Sequence, residues 1–533
     1  MNGPAEADPH SPKDPTPIVE FNEASRRRFR WKSGVVILLI GLVAILSVWN
    51  LAGLDRTYQV FAMWVLVPAA TLAMLVWWLL GSGLAWRWRL VGLALLAGFV
   101  GCLRVDDYAG DMTPLVSFRW QETREERAGS YFSQVAPVPV VETAQQITVG
   151  AGDWPGFRGA ARDGIVRGVS LAHEWKTQAP REVWKHPVGL GWSSFAVVDG
   201  RVYTQEQRGD DEVVSCWDLA DGTPVWVHAD PVRFSEAMGG VGPRATPTFA
   251  RSRIFTLGAT GLLNCLDAAS GRSLWHVDVL DDTDARNLNW AMAGSPLVLN
   301  GQVIVSAGGS VGSIVAYDTK TGKRAWSGGD RTASYAAPRL ATIAETEVIL
   351  LFGGDGLAAH DVTSGQELWH FPWSNGPKVN ATLPVVLTST SVLISSGYGQ
   401  GSAVLNVGGK GSEPELAWKS RQLKSKFNDP VIRDGFVYGL DEGILVCLDA
   451  ATGKRRWKRG RYGYGQLLLV EDLLLVLAEN GSVAMVEATP EKFRELGRFE
   501  AISGKTWNHP VLVGDRLLVR NAAEMACFEM PLR

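Results

Sequence analysis

The chain has 533 residues, with 52 basic side chains against 55 acidic ones, 58 glycines and 22 tryptophans. So even a balance excludes a global electrostatic footprint for nucleic acid, and any partner must be recognised locally. Many glycines and tryptophans beside only 26 prolines point to tight turns alternating with large aromatic packing units, as in a β-rich repeat protein.

Residues 1–33 are polar and proline-rich and end in Arg26, Arg27, Arg28, Arg30 and Lys32. Uncharged apolar runs follow from Ser33 to Leu54, from Thr57 to Trp86 and, over only 14 residues, from Leu90 to Leu103. A membrane-spanning helix needs about 20 residues, so the third run is the short one. The first run begins too late and runs too long for a signal peptide. The pattern predicts a cytoplasmic tail over 1–33 and three transmembrane helices over 34–54, 58–80 and 86–103. Basic residues flank their inner ends, whereas Asp55 and Arg56 cancel between the first two. Arg87 and Arg89 snorkel to lengthen the third span, with Trp77, Trp78, Trp86 and Trp88 at its inner interface. An odd number of spans puts everything after Leu103 outside the cytoplasm, in the periplasm or extracellular space. An interfacial third segment would leave it inside. Residues 104–152 lack clear periodicity and read as a tether with one short helix around Gln121 to Arg127.

From Gly200 onward one unit repeats: an alternating apolar strand, a turn, a second strand, then an acid, a turn and a Trp. The pattern D-x-x-[TS]-G-x-x-x-W holds from Asp267 to Trp275, Asp318 to Trp326, Asp361 to Trp369 and Asp449 to Trp457, and nearly from Asp218 to Trp226. Its acid accepts turn N–H groups, its Ser or Thr supports the turn, and its Gly takes the positive φ that closes a hairpin. Weaker copies at Asn406, Glu487 and Glu529 bring the count to eight. Strand-opening prolines at 247, 296, 338, 384, 430 and 510, with Ser194 and Gln466 in the same phase, give eight independently. The last unit has no room for an outer strand, while Trp184 stands unpaired before the first. The N-terminal strand is therefore expected to complete the last blade and remove free sheet edges. Trp184, Trp226, Trp275, Trp326, Trp369, Trp418 and Trp457 are the structural blade tryptophans.

Cys102, Cys216, Cys265, Cys447 and Cys527 form no C-x-x-C or vicinal pair, and four of them share one phase of the repeat, as small buried core residues do. These units resemble the repeats of pyrroloquinoline-quinone (PQQ) propellers, and Asp153 to Gly164, DWPGFRGAARDG, resembles the start of bacterial PQQ-binding-like repeat proteins. The resemblance covers about residues 153–531 and implies an all-β, eight-bladed β-propeller with four-stranded blades behind a helical transmembrane anchor. That superfamily holds both quinoprotein alcohol dehydrogenases and the outer-membrane β-barrel assembly scaffold, so the fold does not name a chemistry.

In dehydrogenases that carry them, a vicinal disulfide lies over the quinone, and calcium accompanies a catalytic aspartate; this chain has no vicinal cysteines. Asp281 to Asp284 with Asn287 lacks the glycine and terminal glutamate of a calcium loop, and the eight histidines show no H-E-x-x-H spacing. No catalytic residue, metal or cofactor is expected; PQQ with calcium belongs only to the alternative of a quinoprotein oxidoreductase.

The residues just before each inner strand are more informative: Trp192, Arg244, Asn289, Trp290, Tyr335, Asn380, Lys426, Asn428, Asp429, Tyr464, Trp507 and Asn508. Matched phase brings them to one channel mouth, where aromatic surface and hydrogen-bonding groups suit a protein or small-molecule partner. Their alternative role is to cap strand starts and seal the channel. The leading expectation is a membrane-tethered, extracytoplasmic binding or scaffolding module at the cytoplasmic membrane, with the oxidoreductase and a sensor as alternatives.

Overall fold

The computed structural model describes residues 29–51, 56–135, 146–175, 177–408 and 411–533. Arg26, Arg27, Arg28 and Asp55, on which part of the charge reading rests, lie outside the described residues. The chain divides into two compact units, Met1–Ala52 with Phe61–Cys102, and Gly53–Val60 with Leu103–Arg533.

The smaller unit is helical. Helices Trp31–Trp49 and Arg56–Val76, the latter prolonged by a π-helical turn Trp77–Gly81, are long and apolar enough to cross a membrane. The third helix, Trp86–Gly101, has 16 residues, fewer than the expected span over 86–103. Gly34 makes room for the Trp77 ring, whose Nε1 donates to Ser33 Oγ at 2.9 Å. Arg89, expected to snorkel, is buried, and its guanidinium donates to the carbonyls of Leu79 and Leu84 in the turn between the helices.

The larger unit carries the eight blades, at residues 196–230, 248–278, 297–328, 339–372, 385–420, 431–461, 466–500 and 511–529. Blade 2 is typical: antiparallel strands Thr248–Ala250, Arg253–Leu257, Leu262–Asp267 and Ser273–Asp278, the first lining the channel and the last facing outward. Blade 8 takes its outer strand, Arg181–Pro187, from before blade 1, with Trp184 opposite Cys527, so the ring closes as expected. Blade 7 gains a fifth strand, Ile165–Val166, parallel to its inner strand. Leu, Val and Ile on the facing sheets of blades 7, 8 and 1 form one continuous buried core with Trp154, Trp175 and Trp184.

The repeated motif works within and between blades. Asp318 Oδ1 accepts from Lys320 N, Thr321 N and Thr321 Oγ1 at 2.8–3.0 Å, and Asp267, Asp361 and Asp449 repeat the arrangement. Each Trp then reaches over the turn of the following blade. Trp226 lies against Gly271, where an added Cβ would meet the ring at 2.4 Å, and its Nε1 donates to Ala268 O at 2.9 Å. Trp184, Trp275, Trp326 and Trp418 lie in the same way over Gly222, Gly322, Gly365 and Gly453. The glycine thus answers two demands, a left-handed backbone and a neighbouring indole. Trp184, Trp226, Trp369 and Trp457 are buried, whereas Trp275, Trp326 and Trp418 are only half-buried.

Residues 104–152 are more than a tether. Strands Leu103–Tyr108 and Pro114–Phe118 form a hairpin, and the helix runs from Arg124 to Gln134, not from Gln121 to Arg127. Thr123 and Glu126 set its start as a capping box. Tyr131 stacks on His186 at 5.4 Å and Phe132 lies under the Arg208 guanidinium at 3.5 Å, so the helix is packed on blades 8 and 1. Residues 136–145 of the expected tether lie outside the described residues.

Candidate functional site

The eight inner strands line a central channel, and two pieces of the same chain enter it or cover its rim. The segment Trp154–Val166 enters along blade 1, where Trp154 pairs with Val197, and leaves along blade 7, where Ile165 pairs with Leu469. Between these points Arg158 and Arg162 take left-handed backbone angles, φ 59° and 51°. Arg158 Nη2 donates to Pro430 O at 3.0 Å; Arg162 Nη1 donates to Ser295 O and Pro338 O at 3.1 and 3.0 Å, and its Nη2 to Pro296 O. Strand-opening prolines lack an N–H but keep a carbonyl, and two arginines of the inserted segment satisfy three of those carbonyls.

At the strand-start rim, part of the expected mouth converges. Trp192 and Trp507 pack with ring centroids 4.8 Å apart, Phe427 lies 4.8 Å from Trp507, and Tyr464 lies 5.9 Å from Phe427. Lys505 Nζ sits 3.9 Å from the Trp507 ring centre and 4.6 Å from that of Trp192, and Lys426 Nζ 4.4 Å from that of Tyr464. Glu479 fixes the cluster: its Oε1 accepts from Trp507 Nε1 at 2.8 Å and its Oε2 from Tyr464 N at 3.0 Å.

This cluster already holds a polypeptide, the hairpin over 103–118. Lys505 Nζ lies 2.5 Å from Asp107 Oδ1 and donates to Tyr108 O at 3.0 Å; Lys426 Nζ donates to Gly110 O at 3.2 Å; Gly110 N donates to Glu479 Oε1 at 2.7 Å. Gly110 packs so closely on Tyr464 that a Cβ would come within 2.3 Å of the ring. Two lysines, one carboxylate and three aromatic faces therefore grip main-chain groups and one acidic side chain.

The other expected residues separate into two sets. Trp290 and Tyr335 form a second, half-exposed aromatic pair, 5.6 Å between centroids, with Asn289 exposed beside them. The Arg244 guanidinium bonds Gly242 O and Gly240 O and lies 3.7 Å from Glu236; burial pushes its pKa down to about 10. Asn380, Asn428, Asp429 and Asn508 are buried in the channel wall. Asn380 is fully engaged, donating to Gly353 O and Trp373 O and accepting from Ser396 Oγ, so it braces a strand start.

The PQQ-repeat family model described as outer membrane protein assembly factor BamB matches residues 162–276 and 210–459, more than half of the chain. This chain belongs to the PQQ-like propeller family. Among relatives, a quinohemoprotein alcohol dehydrogenase ADH-IIG of Pseudomonas putida is 30% identical over 171 residues, 31% of this chain and 22% of that protein. The outer membrane protein assembly factor BamB of Moranella endobia is 24% identical over 260 residues, 45% of this chain and 64% of that one. The chain thus spans less than two thirds of the length of either relative. The quinohemoprotein alcohol dehydrogenase structure from Comamonas testosteroni matches with a TM-score of 0.52 at 15% identity, covering 77% of this chain and 84% of that one, a likeness of fold.

Within this PQQ-like propeller the sequence reading missed Lys505, Glu479, Asp107 and Gly110 at the rim and Arg158, Arg162, Arg339 and His509 inside the channel. Two sequence signals bore on them: DWPGFRGAARDG contains both inserted arginines, and His509 and Arg339 directly adjoin the strand-opening Pro510 and Pro338.

Proposed function

We propose that this protein is a membrane-tethered propeller, held outside the cytoplasm by its apolar N-terminal helices, that acts as a scaffold by binding polypeptide at its strand-start mouth. The observation that carries the reading is the grip on the hairpin: Lys505, Lys426 and Glu479 hold the main-chain groups of Tyr108 and Gly110 between aromatic faces. A surface that binds the carbonyls and an amide of a hairpin's strand end and turn in this way suits polypeptide recognition. The name of its assembly-factor relatives points the same way. The neighbouring Trp290–Tyr335 pair, with Arg244 and exposed Asn289, extends that surface to a second chain.

The 171-residue likeness to a dehydrogenase favours PQQ-dependent oxidation as a second reading. The donor set fits that cofactor poorly. Among the described residues no three His, Cys, Asp or Glu side chains are placed to hold a metal ion, and the five cysteines are single. Arg158 and Arg162 are tied across the channel.

Photo-crosslinking residues introduced at Asn289 and Tyr335 in the full chain, expressed in cells, test the scaffold. A discrete adduct with one envelope protein, lost on Trp290→Ala, is expected; adducts that are diffuse and insensitive to Trp290→Ala would reject it. Dye-linked alcohol oxidation by purified protein supplied with PQQ and calcium would establish the second reading instead.

A further inference from the structure

The channel interior, apart from the mouth, holds more positive charge than its own carboxylates balance. Arg158, Arg162 and Arg339 are 3%, 6% and 8% exposed, deep enough that ionic partners matter. Asp429, 1% exposed, is the buried carboxylate among them: its Oδ2 lies 3.9 Å from Arg158 Nε and 3.2 Å from His509 Nε2, and its Oδ1 accepts from Leu383 N. Asp163, the other acid near Arg158, is already paired with Arg167 at 2.6 Å. Burial pushes the pKa of the His509 imidazole below its ordinary value, against the opposing pull of Asp429. Among the described residues, three guanidiniums against the one buried carboxylate leave two positive charges without a countercharge, a burial that costs several kcal/mol per ion when uncompensated.

The carbonyl bonds do not exhaust these donors. Arg158 Nε and Nη1, Arg339 Nε, Asn428 Nδ2 and His509 Nδ1 are buried with no hydrogen-bond partner among the described residues. They belong to one neighbourhood. Asn428 and Asp429 directly precede Pro430, whose carbonyl Arg158 holds. Arg339, on the inner strand of blade 4, holds Pro384 O and is close enough to Arg158 and Arg162 for their charges to disfavour one another. Unused forked N–H groups around a doubly positive buried centre match the oxygens of a tetrahedral dianion.

We propose that the channel binds one small tetrahedral oxyanion, of the phosphate or sulfate class, between Arg158 of the inserted segment and Arg339 and Asn428 of the channel wall. The anion joins the inserted segment to blades 4 and 6, so channel closure responds to a soluble ion. This site is separate from the polypeptide surface and stands or falls without it.

The test uses the full chain in detergent micelles, with radiolabelled phosphate, sulfate and acetate in equilibrium dialysis at constant ionic strength. One saturable equivalent of phosphate or sulfate, each displacing the other, is expected, with acetate taken up at least about tenfold more weakly because it offers two oxygens instead of four. Arg158→Gln should abolish this uptake, and Arg339→Lys should weaken it about tenfold, since an ammonium keeps the charge but loses the fork. Circular dichroism reports folding of each variant. Should Arg158→Gln fail to fold, anomalous scattering from wild-type crystals grown with selenate decides: a peak within hydrogen-bond distance of Arg158 supports the site, and a peak only elsewhere overturns it. Uptake that does not saturate, uptake unchanged in both variants, or one equivalent of acetate in place of either tetrahedral anion also overturns it.

Discussion

Lys505 Nζ and Asp107 Oδ1 lie 2.5 Å apart, a pair 398 positions distant in the chain that joins the hairpin to the propeller mouth. The Lys505 side chain is 1% exposed and Asp107's 8%. Asp107 also pairs with Arg124 at 3.0 Å, so it is removal of the carboxylate that strands a charge, the Lys505 ammonium, in a low-dielectric site unless the hairpin lifts away. Asp107→Asn should release the hairpin, seen as faster proteolysis in the turn Ala109 to Thr113 with the propeller's own melting little changed. An unchanged cleavage rate would mean that Tyr464 and Glu479 hold the hairpin without the ion pair.

Burial pushes the Lys505 pKa down to about 8, against the opposing pull of Asp107. The folded chain then binds fewer protons here than the unfolded chain, from pH about 8 up to the ordinary lysine range. Stability attributable to Lys505 accordingly rises with pH across that window, because the cost of burying its charge is relieved. Melting temperatures at the two ends of the window should differ by less in Lys505→Met than in the wild type. An identical difference in both proteins would place the titration elsewhere.

Glu212 gives the opposite sign. Burial raises its pKa to about 7, although Ala259 N donates to it at 2.9 Å. Its folded pKa exceeds its unfolded one, so the stability it contributes is complete below the ordinary carboxylate range and lost as pH rises through 7. Glu212→Gln should raise the melting temperature at pH about 8 and leave it nearly unchanged at pH about 4, where both side chains are neutral. Equal shifts at both values would assign the effect to packing.

Among the tryptophans, Trp226 is 3% exposed and Trp275 half-buried. Trp226→Ala should cost about 3–5 kcal/mol, and Trp275→Ala less, about 1–3 kcal/mol, by thermal or denaturant unfolding. Equal costs would mean that the indole hydrogen bond to the next blade, which both residues make, outweighs buried area.

Gly271 and Gly435 separate backbone from packing. Both have positive φ, 73° and 79°, but only Gly271 has an indole against its missing Cβ. Gly435→Ala should cost about 1–2 kcal/mol for the left-handed backbone. Gly271→Ala should add about 1–3 kcal/mol for displacing Trp226. Matching losses would remove the interblade contact from the account.

For topology, alkaline phosphatase joined after Arg533 should be active and a fluorescent protein at the same point dark, as expected of an exported domain. The reverse result would place the propeller in the cytoplasm and demote the 16-residue helix Trp86–Gly101 from a membrane span.

The eight blades were legible because the signals that make them are local. Asp318, Thr321 and Gly322 close their turn through bonds spanning two or three residues, and strand alternation needs no distant partner, so both leave a period in the sequence. Ring closure by Trp184 was readable for the same reason, as a repeat with its parts divided between the two ends. The mouth was legible only as a phase. Phase placed Trp192, Lys426, Tyr464 and Trp507 on one rim, but it could not say that residues 103–118 cover them, since Asp107 and Gly110 belong to no repeat. Nor could it separate Asn380, with every polar atom engaged, from Asn428, with one left over. Sequence by itself determined the fold and the number of blades, because turn chemistry and strand period act over a few residues. Only the tertiary structure decided what fills the channel and covers its mouth, because Arg158 meets Pro430 across 272 residues and the burial that gives such contacts their energy exists only once the ring has closed.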